Sequence, residues 1–145
     1  MDITEAIMNR RSIRTFKKQD LHPSIIEKLL DAARWAPSAG NMQPWAFVVA
    51  AKWETKQRLS DSAYGQKSLV EASVDIVVCA NLKYAAENYG ARGETLYCYQ
   101  DTPAATQNIL LTAHSIGLGT CWIGAFNEED VRRSSIVPLT CGRSH

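Results

Sequence analysis

Residues 10–14 read Arg-Arg-Ser-Ile-Arg, so three guanidinium groups and one hydroxyl lie within five consecutive residues. Each guanidinium presents a planar fork of donors that matches two phosphate oxygens at a time. If the preceding helix continues through this stretch, Arg10 and Arg14 are four residues apart and project from one face, whereas Ser12 joins them only if the helix frays. The stretch indicates a site for a small dianion. The alternative is a solvated basic helix end, which has the same composition.

The length and composition are those of one globular domain. The chain has 145 residues, of which 21% are charged and 46% are hydrophobic, and its net charge is +1. So small a net charge provides no broad basic surface for nucleic acid. No apolar run is long enough to cross a bilayer, and the first residues do not resemble a signal peptide. The four cysteines form no Cys-x-x-Cys pair, so neither a metal site nor disulfides are favoured, and a cytoplasmic location is expected.

The segments on either side of the basic stretch predict helices mixed with short buried strands. Asp2 and Glu5 have the spacing of a capping box and begin a helix that runs to about Asn9. Pro103 either kinks a long later helix or marks a new start that Asp101 caps. The other predicted elements are helices at Ser24–Ala36, Thr55–Ala63, Ser68–Ala72, Glu94–Ile116 and Asn127–Arg133, strands at Phe47–Ala51, Val74–Ala80 and Leu118–Ile123, and an irregular segment at Asn81–Gly93.

A second informative stretch, residues 36–45, reads Ala-Pro-Ser-Ala-Gly-Asn-Met-Gln-Pro-Trp. Two prolines and a glycine predict a loop of fixed shape between a helix and a strand. Ser38, Asn41 and Gln43 contribute short polar side chains, which suit the edge of a polar ligand. The alternative is an ordinary helix-to-strand connection with Trp45 in the core.

These two stretches and a third, Gly-Leu-Gly-Thr-Cys-Trp-Ile-Gly at residues 117–124, occur in an order that resembles the nitroreductase-like family of FMN enzymes. The resemblance extends from Ile3 to about Arg132. It implies an α+β, three-layer sandwich with a central, mostly antiparallel sheet flanked by helices. It also implies an intertwined homodimer with two flavins at the interface, and a single FMN-binding domain over residues 1–133.

The resemblance further implies three groups of flavin-binding residues. The first group contacts the phosphate and the ribityl chain, and the second is a loop that the other subunit lends to the flavin ring. The third is a turn whose backbone amide faces the redox-active nitrogen of the flavin. The implied cofactor-binding residues are Arg10, Arg11, Ser12, Arg14, Pro37, Ser38, Ala39, Asn41, Gln66, Ile123 and Gly124. Gln66 is matched more loosely than the others. A glycine at position 124 is physically sensible, because no side chain blocks the approach of the backbone to the ring.

The activity implied by the resemblance is transfer of a hydride from NADH or NADPH through FMN to a nitroaromatic, a quinone or a similar small molecule. No side chain is expected to act as acid, base or nucleophile, since the flavin carries the chemistry. The alternative is a catalytically impaired or non-enzymatic dimeric homologue that binds flavin or another phosphate ligand.

The last residues, 134–145, form an atypical short tail that departs from the family pattern. The family normally continues through a further strand and an arm that crosses the dimer. Basic residues that relatives supply to the phosphate from that region are missing here. We therefore expect the sheet to lose a strand and flavin affinity to be lower than usual.

Overall fold

A computed structural model of the chain describes residues 1–134, and the predicted tail from residue 135 onwards lies outside the described residues. The helices are α1 (Ile3–Asn9), α2 (Pro23–Arg34), α3 (Trp53–Ser62), α4 (Lys67–Glu71), α5 (Leu82–Arg92), α6 (Cys98–Ser115) and α7 (Glu128–Arg133). A 3₁₀ turn at Ala39–Asn41 follows α2, and a π-helical turn at Gly93–Tyr97 joins α5 to α6. The strands are β1 (Trp45–Ala50) and β2 (Asp75–Ala80).

The two strands form an antiparallel pair in which Trp45 faces Ala80 and Ala50 faces Asp75. Two of the three predicted strands are therefore confirmed, with starts shifted by one or two residues. The strand predicted over Leu118–Ile123 is wrong. Within residues 1–134 this segment forms one parallel bridge, between Ser12 and Thr120, because no neighbour in that range supplies a continuous ladder of hydrogen bonds.

The core is formed where α2 packs on α6 and both cover one face of the sheet. Small side chains let the two helix backbones approach closely, and the amide of Asn108 donates a hydrogen bond to the carbonyl of Ala32 at 3.0 Å. The buried members of this cluster are Leu29, Ala33, Ala36, Ala105, Ile109 and Ala113, with Trp45, Phe47, Ile76 and Val78 packed against them. The small residues of α6 therefore place this helix in the core.

Pro103 lies inside α6, which continues through it without a new start. Because proline has no N–H, the carbonyl of Tyr99 loses its usual helical donor. Asp101 is the fourth residue of this helix and does not cap it. The interpretation of Asp101 as a helix cap is therefore wrong, and its carboxylate has another partner.

The segment Asn81–Gly93, predicted as irregular, is mostly the helix α5. Asn81 caps this helix by accepting a hydrogen bond from the amide of Tyr84 at 3.0 Å. The helix breaks near its end, where Gly90 has φ 57° and ψ −148°. Its buried face, Leu82 and Ala85, packs on Met42 and Cys98. Tertiary burial thus stabilises a helix whose apolar pattern is weak.

Candidate functional site

The basic stretch begins where α1 ends. Asp2 and Glu5 form the predicted capping box, and the amide of Arg10 donates the last helical hydrogen bond to Ala6 at 3.0 Å. Arg10 then adopts φ −56° and ψ 133°, which is not helical. Arg10 and Arg14 therefore do not share a helix face, and Ser12 lies in the extended segment between them.

The three guanidinium groups differ in their partners. Arg11 donates from Nη1 to the carbonyl of Met8 at 2.7 Å and to that of Arg10 at 2.9 Å, which covers the exposed carbonyls at the end of α1. The guanidinium groups of Arg10 and Arg14 form no hydrogen bond or ion pair with any residue in the range 1–134. Two of the three arginines are thus available for an anion.

Tertiary structure brings the basic stretch beside the third motif. The amide of Ile13 donates to the carbonyl of Thr120 at 2.8 Å, and Ser12 bridges to Thr120 in a parallel sense. A Cβ at Gly119 would lie 3.1 Å from the Ile13 side chain, so the close approach of the two segments depends on glycine there. Residues more than 100 positions apart in the sequence therefore form one surface.

The turn that follows, Ile123 and Gly124, is positioned by Gln66. The side-chain amide of Gln66 donates to the carbonyl of Ala125 at 3.0 Å, and the backbone carbonyl of Gln66 accepts from the hydroxyl of Ser60 at 3.0 Å. Among the described residues other than its chain neighbours, none has an atom within 4 Å of a Cβ added at Gly124. The backbone of this turn therefore faces open space, which suits the approach of a flat ring.

The proline-flanked loop forms a second group of predicted site residues. Gly40, Asn41 and Gln43 all have positive φ, of 54°, 54° and 55°. The amide of Gln43 donates to the hydroxyl of Ser38 at 2.9 Å, which closes the loop on itself. A Cβ at Gly40 would overlap the hydroxyl of Tyr89 from α5. The loop thus has the fixed shape that the prolines and glycine predicted.

Asp101 holds this loop on α6. The amide of Ala39 points at both carboxylate oxygens of Asp101, at 3.2 Å each, and Asp101 is only 7% exposed. Burial raises the pKa of the Asp101 carboxyl, and the hydrogen bond from Ala39 opposes that rise. Sequence reasoning missed this residue as part of the site, because an acidic residue in a helix has no local pattern that indicates burial against a distant loop.

No hydrogen bond within residues 1–134 joins the loop to the surface formed by the basic stretch and the turn. Pro37, Ser38, Ala39 and Asn41 are brought together with Asp101. Arg10, Arg11, Ser12, Arg14, Gln66, Ile123 and Gly124 lie in segments linked through Thr120 and Ala125. The predicted site residues thus fall into two groups.

A cavity of about 350 Å³ extends from β2 to the turn and is lined mostly by apolar side chains, among them Ile76, Ile109 and Ile123. Asp75 borders it, is 9% exposed, and has one carboxylate oxygen without a hydrogen-bond partner in the described chain. Burial raises the pKa of Asp75 to about 7, and the nearby charge of Lys56 partly opposes this. Asp75 is therefore a second buried acid outside the predicted site.

In the part of the chain that the structure describes, no group of three or more His, Cys, Asp and Glu side chains could hold a metal ion. No helix there combines the length and the apolar character needed to span a bilayer.

A sequence profile described as "Nitroreductase family" matches residues 7–68 and 63–138. A protein of Archaeoglobus fulgidus assigned as an NADH dehydrogenase/NAD(P)H nitroreductase is 40% identical over 124 residues, which cover 86% of this chain and 68% of that protein. An FMN reductase (NADPH) of Bacillus subtilis is 29% identical over 86% of this chain and 55% of its own length. The crystal structure of a nitroreductase family protein from Clostridium novyi NT matches with a TM-score of 0.83 at 29% identity and covers 97% of this chain and 79% of that one.

The profile match includes all three motifs, at residues 10–14, 36–45 and 117–124. The structural match confirms the expected α+β nitroreductase fold. The chain therefore belongs to the nitroreductase family of oxidoreductases.

Proposed function

We propose that this protein is an FMN-dependent oxidoreductase that takes reducing equivalents from NADH or NADPH and passes them to a small acceptor such as a nitroaromatic or a quinone. The observation that carries the proposal is the pair of guanidinium groups, Arg10 and Arg14, that have no partner within residues 1–134, on a segment joined to Thr120. Guanidinium groups that have no partner in the described chain, on the stretch that also carries the Ser12 hydroxyl, suit a phosphate dianion. The relatives named NAD(P)H nitroreductase and FMN reductase (NADPH) support the choice of cofactor and reductant.

The residues present fit FMN by the chemistry of their donors and by the space they leave. Arg10, Ser12 and Arg14 would hold the phosphate and the ribityl chain, and Arg11 would keep the end of α1 in place. The backbone at Gly124 would lie against the ring, since no residue in the range 1–134, its two chain neighbours aside, comes within 4 Å of the position where its side chain would begin. Bound FMN would accept a hydride and pass it on, while the protein orients the ring and excludes water.

We propose a homodimer in which the loop at residues 37–41 completes the site of the second subunit. The loop and the basic surface are not joined by hydrogen bonds in the described chain, as expected if each serves a different flavin. Large apolar side chains on α1 and beside the loop are exposed, including Ile7, Met8 and Trp35, the last at 82%. Exposed apolar clusters of this kind mark contact surfaces. A cytoplasmic location stays a prediction from the sequence.

The deciding experiment is reconstitution of the purified protein with FMN. Titration should quench the flavin fluorescence, and light scattering during gel filtration should give the mass of a dimer. Added NADH or NADPH should bleach the flavin absorption under anaerobic conditions, and a nitroaromatic or quinone should restore it. A dimer that takes up FMN but is not reduced would favour the impaired homologue, and a protein that takes up no FMN would contradict the cofactor.

A further inference from the structure

Asp101 connects the loop to the central helix over a long distance in the sequence. Its two carboxylate oxygens both lie 3.2 Å from the amide nitrogen of Ala39, which is 62 residues away. Asp101 is in the first turns of α6, whose later turns form the core with α2. The loop amide is thus anchored to a helix that the core holds firmly.

The anchor carries a cost that an uncharged residue would avoid. Taking a carboxylate out of water is unfavourable, and the pKa of Asp101 rises for that reason. Within residues 1–134, the amide of Ala39 donates a hydrogen bond to this carboxylate. A hydrogen bond to an ionised acceptor is stronger than a neutral one, so the charge gives a tighter hold on the loop.

The loop needs such a hold because its backbone is strained. Asn41 and Gln43 have φ of 54° and 55°, a region that residues with a side chain rarely adopt. Their conformation persists only if both ends of the loop are fixed. Asp101 fixes the amide of Ala39, and the hydroxyl of Ser38 fixes the amide of Gln43.

We propose that Asp101 is a positioning residue for the flavin ring, acting through the loop at residues 38–43 and not by contact with FMN. The inference rests on the proposed function, since it concerns the same site. Asp101 holds the Ala39 amide, the amide holds the strained turn, and the turn presents Asn41 to the ring. Loss of the carboxylate therefore reduces flavin binding without touching the phosphate contacts.

The test compares Asp101→Ala and Asp101→Asn with the matched control Asn108→Ala. Asn108 is on the same helix and also donates one hydrogen bond to another element, the carbonyl of Ala32. For each variant, the FMN dissociation constant, the melting temperature, and the amide hydrogen exchange of residues 39–43 in flavin-free protein are measured. Asp101→Ala should weaken FMN binding by about tenfold, the scale of one hydrogen bond to a charged group, and should speed exchange in the loop. Asp101→Asn should give a smaller loss of FMN binding and a smaller rise in loop exchange than Asp101→Ala, because its amide oxygen still accepts from Ala39 but carries no charge.

Asn108→Ala should lower the melting temperature while leaving the FMN dissociation constant and the loop exchange unchanged. If Asp101→Ala does not fold, Ala39→Pro removes the donor and leaves α6 intact. Ser38 already has φ −145° and ψ 158°, which a following proline tolerates. Ala39→Pro should weaken FMN binding to a similar extent.

Unchanged FMN binding in Asp101→Ala or Ala39→Pro, or an equal loss in Asn108→Ala, would overturn the inference while leaving the proposed function in place. If the unmodified protein takes up no FMN, the proposed function fails and the role toward the ring fails with it. The exchange of the Ala39 amide in flavin-free protein then shows separately whether the anchor itself exists.

Discussion

The arginines of the basic stretch have different partners because they lie at different distances from the end of α1. Arg11 follows the end of α1 and reaches back to the carbonyls of Met8 and Arg10. Arg14 lies three residues further along and past the bridge at Ser12, and its guanidinium has no hydrogen-bond partner within residues 1–134. Composition alone treats the three side chains as equivalent, whereas the fold separates one that caps from two that are available for a ligand.

Arg14→Ala should weaken FMN binding by roughly 1.5–3 kcal/mol, the scale of a hydrogen bond to a charged group. Arg11→Ala should mainly destabilise α1, because its guanidinium is occupied by backbone carbonyls. Arg133, which forms an exposed ion pair with Glu129 at 3.2 Å, provides a charge-matched control, since such pairs contribute little. Fluorescence titration measures the FMN affinity of the variants at Arg14, Arg11 and Arg133. Full affinity in Arg14→Ala would remove the phosphate role assigned to Arg14.

Gly40→Ala should destabilise the protein by more than about 1 kcal/mol, the usual cost of a residue held at an unfavourable φ. The φ of 54° at Gly40 disfavours any side chain, and a methyl group would also overlap the Tyr89 hydroxyl. Thermal unfolding of Gly40→Ala, Tyr89→Ala and the double variant separates the two causes. The double variant should recover the part due to overlap and keep the part due to φ. If Gly40→Ala is as stable as the parent protein, the loop does not hold this shape.

At the scale of elements, the site depends on connections that join loops to helices. Gln66 precedes α4 and holds the turn at Ala125, while Asp101 of α6 holds Ala39. The extended segment at residues 118–123 is attached to the basic stretch by the hydrogen bond from Ile13 to Thr120. Each link is one side chain or one backbone pair, so single substitutions can loosen one part of the site and leave the core intact.

Gln66→Ala should loosen the turn at residues 123–126 and lower the free energy of unfolding by about 1 kcal/mol, the net value of one hydrogen bond. The control is Gln57→Ala, which removes an exposed hydrogen bond to Asp61 at 2.8 Å within α3. Amide exchange at residues 123–126 in flavin-free protein should increase in the first variant and stay unchanged in the second. Equal exchange in both variants would mean that Gln66 does not position the turn.

For the molecule as a whole, the two buried acids make stability depend on pH. A carboxyl whose pKa is higher in the folded state binds its proton more tightly there, so it stabilises the fold below its ordinary pKa and loses that contribution as the pH rises through the folded value. Asp75 has an ordinary pKa of 3.8 and a folded pKa of about 7. Asp101 shifts in the same direction.

The free energy of unfolding should therefore fall as the pH rises from about 4 to about 7, by at most about 1.4 kcal/mol per pH unit for each group. Asp75→Asn should flatten this slope, and the part due to Asp101 should remain. Urea unfolding at several pH values measures the slope directly. If the slope is the same in Asp75→Asn as in the parent protein, Asp75 is charged in the fold throughout this range.

What the sequence determined was mostly local. The capping box at Asp2 and Glu5, two of the strands and the rigid loop all follow from contacts between near neighbours or from periodic burial. The three motifs indicated the family, and the comparisons confirm it.

Tertiary structure decided everything that depends on distant partners. It made α5 a helix through burial of Leu82 and Ala85, and it reduced the expected third strand to one bridge at Thr120. It also brought the Arg11 guanidinium to a carbonyl at the end of α1, and it brought the Asp101 carboxylate to the amide of Ala39, 62 residues away. A hydrogen-bond donor or acceptor is the same in sequence whether its partner is near or far, and only the packed chain shows which partner it reaches.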